Sequence, residues 1–243
     1  MALFDRSSNP VLRSNTFSGA DTIGPAMTVN GTIHKTGVLL LLCVAAAAWT
    51  WQLPSEAVGP WMMGGLFGGF IVSMVAIFAR QTTPVTAPIY AVFEGLALGG
   101  ISGMLDRAYP GIAIQAVSGT FGALFVMLAL YRSGVVRATP AFTRGIIIAT
   151  GAICLVYIVN MALGFFGHSV PMVNGGGALG IGFSIFVVIL ATLNLVLDFA
   201  MIEQGAQAGA PKYMEWYGAF SLMVTLVWLY LEILRLLAKS RDR

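Results

Sequence analysis

Seven apolar segments and an almost uncharged composition predict an all-α integral membrane protein, a bundle of seven transmembrane helices. Of the 243 residues, 58% are hydrophobic and only 9% are charged, and the mean hydropathy is +0.85. A water-facing surface needs roughly a quarter of its residues charged, so the chain is not a soluble domain. A run of about 20 apolar residues crosses a hydrocarbon core of roughly 30 Å. Such runs stand at 37–53, 58–79, 84–105, 111–131, 145–166, 178–202 and 216–237. Lipid admits only helices and closed barrels. The runs lack the alternation of barrel strands, so they are helices.

Taken in order, residues 1–36 are polar and rich in Gly, Ser, Thr and Asn. They read as a disordered or loosely ordered cytoplasmic tail rather than a signal peptide. The membrane domain is expected over 37–237, with a basic C-terminal tail at 238–243. Asn30, Gly31 and Thr32 form a glycosylation sequon, which goes unused on the cytoplasmic side. In the second and third spans, Gly64 with Gly68, Gly65 with Gly69, Gly95 with Gly99 and Gly99 with Gly103 are small-xxx-small pairs. These let helix backbones approach closely, so these two spans are expected to pack tightly. The stretch GGGALG at 175–180 has the spacing of a dinucleotide fingerprint. It opens a membrane helix and follows no strand, which discounts it. Cys43 and Cys154 lie inside apolar runs and read as small hydrophobes, not as a disulfide. His34 and His168 read as loop residues, and Trp49, Trp51, Trp61 and Trp216 as interfacial belts.

Orientation follows from Lys and Arg in the short connections. The N-terminal tail holds Arg6, Arg13 and Lys35; the later loops on that side hold Arg80, then Arg132, Arg137 and Arg144, then Lys212. The opposite side holds Arg107. The N-terminus is therefore expected in the cytoplasm. Seven crossings leave Lys239, Arg241 and Arg243 outside, against the rule, and a re-entrant seventh segment is the alternative.

Three carboxylates, Glu94, Asp198 and Glu232, fall within predicted spans. An intramembrane acid costs at least about 2.5 kcal/mol and marks a functional site whose partner must be named. Glu94 lies about 15 Å deep, near the midplane. Asp198 lies about 6 to 10 Å from the cytoplasmic end of its helix, where the long side chain of Arg80 can reach it. Glu232, roughly 24 Å along the seventh span, pairs with Asp198 only through a later helix start or the re-entrant arrangement. Arg235, three residues on, is its alternative partner. No basic run suggests nucleic acid in a chain of net charge +3. The chain carries no HExxH, no aspartyl dyad and no Ser-His pairing, so neither an enzyme nor a cofactor is expected.

The stretches IYAVFEGLALGGISG around Glu94, NLVLDFAMIEQG around Asp198 and LVWLYLEILRLL around Glu232 resemble the Bax inhibitor motif family of membrane proteins. The opening NPVLRSNTF is similar to the tail of a bacterial branch, which implies the bacterial inner membrane. The resemblance covers roughly residues 37 to 237. It implies a proton-sensitive calcium leak in which acids on the last two helices share a proton and one is latched to an arginine on the second. Asp198 matches the latched acid, Glu232 the second acid and Arg80 the latch. Two adjacent carboxylates do not both ionise easily, which makes such a pair a pH sensor. Calcium is then the permeant ion, with Asp198, Glu232 and Glu94 as candidates for a weak site. The chain departs from the pattern in carrying Glu232 for an aspartate, and glycines over 64–69 where many members have an acid. The resemblance also allows a regulatory interaction protein that acts on a membrane protease or stress response without conducting.

Overall fold

The computed structural model describes residues 25–168 and 170–242. Among these residues seven helices are long and apolar enough to cross a membrane, as the composition predicts. The order is α1 (Val29–Trp51), α2 (Ser55–Phe78), α3 (Thr83–Ala108), α4 (Ile112–Arg132), α5 (Pro140–Phe165), the single turn α6 (Pro171–Asn174), α7 (Ala178–Gln207) and α8 (Met214–Arg241). A 3-10 turn, Arg80–Thr82, joins α2 to α3.

The first helix starts well before its apolar run. The Thr28 side chain accepts a hydrogen bond from the Gly31 N–H at 2.9 Å, which satisfies one of the orphan amides of a helix start. Thr32 and Thr36 return their hydroxyls to carbonyls one turn back, at 3.1 and 2.9 Å. Just upstream, the Met27 N–H donates to the Ala210 carbonyl at 2.7 Å, and the buried Met27 side chain joins the core. The segment expected as tail up to residue 36 is thus already part of the fold from Met27, and α1 begins at Val29 because a capped polar turn extends it beyond lipid length. Arg6, Arg13 and the NPVLRSNTF stretch lie outside the described residues.

The last helix crosses the whole bundle. Its 28 residues rise about 42 Å. At its start, Glu215 is ion-paired with Lys35 of α1, and the Thr83 hydroxyl at the head of α3 donates to the Tyr213 carbonyl. At its finish, Arg241 donates to the Pro110 carbonyl and the Gln115 side chain, at 3.0 and 2.9 Å. The two ends of α8 thus sit at opposite ends of the bundle, the near end holding the start of α1. The re-entrant alternative is not adopted.

Helix α8 is also the axis of the packing. It contacts α1, α3, α4 and α7 and buries Tyr217, Phe220, Met223 and Leu229 completely. Helices α2 and α5 stand at the periphery and leave Phe70, Phe78, Leu155 and Phe165 uncovered, the surface a bilayer would cover. The expected close seam between the second and third spans is present: a Cβ on Gly65 would stand 2.6 Å from the Phe93 carbonyl oxygen. A second seam was not foreseen. Gly95 and Gly99 face α1, where a Cβ would come within 2.3 Å of the Cys43 carbonyl and 2.2 Å of the Ala47 carbonyl. No strand precedes Gly175 among the described residues, and Cys43 and Cys154 are free thiols.

Candidate functional site

From Asn194 to Ala200 every residue of α7 is buried. A helix enclosed on all sides normally carries only apolar residues, yet Asp198 sits in the middle of this stretch with 1% of its surface exposed. Its position is fixed from α8. The fully buried Ser221 donates its hydroxyl to Asp198 Oδ1 at 3.2 Å. One turn earlier on the same helix face stands Tyr217, and the guanidinium carbon of Arg80 lies 5.6 Å from the centre of its ring. A cation over an aromatic face is attracted by the ring quadrupole. Arg80, Tyr217, Ser221 and Asp198 therefore form one cluster, running inward from the half-buried Arg80 in the turn between α2 and α3.

Glu94 lies further along this line, eleven residues into α3 and about 16 Å from its start. It accepts a hydrogen bond from Tyr90, one turn back. The Tyr90 ring meets Phe220 of α8 edge-on, with centroids 4.9 Å apart. On its other side Glu94 faces α2: a Cβ added to Gly69 would stand 3.1 Å from Glu94 Oε2. The midplane position expected for Glu94 is thus coupled by aromatic packing to the residue beside Ser221.

Glu232 occupies a different place. Its Oε1 accepts hydrogen bonds from the Tyr157 hydroxyl of α5 at 2.8 Å and from Arg235 at 2.9 Å. Arg235 also donates to the Tyr157 oxygen at 2.8 Å and lies over its ring. Eleven residues separate Ser221 from Glu232, about 16 Å of helix rise, so Glu232 and Asp198 do not share a proton here. Of the two partners weighed for Glu232, the structure brings it to Arg235, away from the acid pair that the resemblance implies, and on α8 Ser221 donates to Asp198. Among the described residues no three His, Cys, Asp or Glu side chains gather as metal ligands. Asp198, Glu232 and Glu94 accordingly do not gather into one such group.

One buried acid escaped the sequence reading. Glu215, with no exposed surface, is ion-paired with Lys35 and, at 2.7 Å, with Lys212, and it accepts from the Thr28 N–H and hydroxyl at 2.9 and 3.0 Å. It falls one residue before the expected seventh span and so reads as a loop charge. The available signal was glycine: Gly31 leaves room for this carboxylate, since a Cβ there would stand 2.1 Å from Glu215 Oε1. His34 and His168 are exposed; His168 stands in a loop as expected, whereas His34 lies within the polar first turns of α1.

The sequence pattern of the family described as Bax inhibitor 1 like matches residues 9–242. No curated protein and no solved structure matches the chain.

Proposed function

The chain belongs to the Bax inhibitor 1 like family, and from that premise we propose that it is a pH-sensitive cation leak, with calcium as a permeant ion and Asp198 as its proton-sensing group. The observation that carries this reading is an acid with 1% exposure, set between α7 and α8 where it accepts from the Ser221 hydroxyl, in the cluster that contains Arg80. Charge on a buried carboxylate must be balanced locally. Its protonation state therefore sets how strongly the near ends of α7 and α8 are drawn toward the turn that carries Arg80. Proton uptake removes that attraction and loosens the near-end mouth. Acid pH then opens the path, and Glu94, deeper on the same line, offers the next oxygen ligands to a partly hydrated cation.

The same reading places the near end in the cytoplasm of a bacterial inner membrane. Lys35, Arg80, Arg132, Arg137, Arg144 and Lys212 belong to that end. The basic residues at the far end of α8 have structural employment: Lys239 donates to the Gly180 carbonyl and Ser184 hydroxyl, and Arg241 to Pro110 and Gln115.

The test is flux from calcium-loaded liposomes that contain the purified protein, followed with a dye as the bath is moved from neutral to acid. Wild type should leak faster in acid, and Asp198→Asn should leak at a rate independent of pH. Flux at the protein-free baseline, together with reproducible copurification of a membrane protease, would replace the leak by a regulatory interaction protein.

A further inference from the structure

Away from the Asp198 cluster, in the far-end half of the bundle, α1, α3, α4 and α8 enclose a cavity of about 370 Å³. Helices α1 and α4 are not packed side by side, and the gap between them is the mouth of the cavity. Val44 and Val117 line it and remain 56% and 41% exposed, so the mouth faces sideways, toward lipid. From Leu40 to Trp51, both in the wall, α1 rises about 16 Å. That is about half of a hydrocarbon core of roughly 30 Å, the depth of one leaflet.

We infer that this cavity is a binding site for one acyl chain of a membrane phospholipid from the far-end leaflet, with an anionic headgroup. The lining excludes a cation vestibule. Its hydroxyls are already committed, Ser102 and Tyr230 to each other at 2.6 Å and Thr120 to the Ala116 carbonyl at 2.8 Å, and the remaining wall is almost wholly apolar. An ion would be stripped of water there without compensation, whereas a hydrocarbon chain gives up nothing polar. The charge complement sits at the open end. Gln52 lines the cavity at headgroup level, and next to it the exposed Arg107 is held by the Leu53 carbonyl and Ser55 hydroxyl, each at 2.7 Å. A guanidinium fixed at this end of α1 by Leu53, one residue along the chain from the Gln52 that lines the cavity, suits a phosphate. The site does not rest on the leak reading.

The experiment uses full-length protein in vesicles doped with phosphatidylglycerol carrying a diazirine in its acyl chain, with adducts mapped by mass spectrometry. Adducts are expected on Val44, Ala48, Val117 and Phe121. Ala48→Trp, or Val117→Phe from the opposite wall, should lower their yield about tenfold, the effect of displacing about two methylenes. Leu155→Trp, on the outer face of α5, should leave it unchanged. Arg107→Gln should reduce the yield to that of a phosphatidylcholine probe. Adducts spread evenly over the outer faces of α2 and α5, or undiminished in both filled variants, would overturn the site. Equal yields for the two headgroups in wild type, or equal labelling by a diazirine fatty acid, would overturn the assignment to an anionic phospholipid.

Discussion

Ser221 of α8 donates its hydroxyl to Asp198 of α7 across 3.2 Å, where the family resemblance implies a second carboxylate. At this position of α8 the acid proposed as the proton sensor meets a hydroxyl and not a carboxylate. Ser221→Asp installs the missing acid at hydrogen-bond range. Two carboxylates so close do not both ionise at low cost, and their protons come off in two macroscopic steps. Liposome flux of this variant should begin to rise at higher pH than in wild type and spread over a wider range. Superimposable profiles would remove Asp198 from the gate.

Glu232 tests the same assignment from the other side. It is tied to Tyr157 and Arg235 and stands about 16 Å of helix rise from Ser221. Glu232→Gln should therefore keep the pH profile of flux while lowering stability by about 1 to 3 kcal/mol, the cost of weakening a buried charge-assisted network. Thermal unfolding in detergent measures the second quantity. A flattened pH profile in Glu232→Gln, with Asp198→Asn unchanged, would exchange the roles of the two acids.

The Glu215 cluster gives a stability prediction with an internal control. Glu215 has no exposed side-chain surface, Lys35 has 18% and Lys212 has 48%. Glu215→Gln leaves the more enclosed cation without its counterion and should cost about 3 kcal/mol. Lys212→Ala removes only a half-exposed partner and should cost less than about 1 kcal/mol. Equal shifts in unfolding midpoint would show that the ion cluster does not anchor α8 to α1.

The helices were legible because lipid leaves so few choices: length and continuous apolarity were enough to place each crossing. Their ends were less legible. Extension of α1 back to Val29 depends on Thr28, Thr32 and Thr36 closing local hydrogen bonds, and hydropathy does not register such capping. Asp198, Glu94 and Arg80 stood out because charge is conspicuous in an apolar run. Ser221 did not, since a serine is unremarkable in a membrane helix, and only the rotation of α8 against α7 reveals what it meets. The Glu232 pairing was what the resemblance implied, whereas helix rise set Glu232 roughly 24 Å along its span against about 6 to 10 Å for Asp198 and allowed the pair only with a later start or a re-entrant segment. Once α7 is known to end at Gln207 and α8 to begin at Met214, helix rise alone separates the two acids.

Topology offers the last prediction. Helix α8 begins beside α1 and α3 and ends beside Pro110 and Gln115, so tags on the two chain termini should lie on opposite sides of the membrane. With the near end in the cytoplasm, a C-terminal tag should be accessible to protease in intact spheroplasts and an N-terminal tag only after lysis. The basic tail works against this arrangement by the charge rule, and that makes the measurement informative. Lys239 and Arg241 are engaged by Gly180, Ser184, Pro110 and Gln115, so neutralising them should reduce stability without inverting the protein. Both tags on one side would mean that α8 does not cross, and the depths assigned to Ser221 and Glu232 would fall with it.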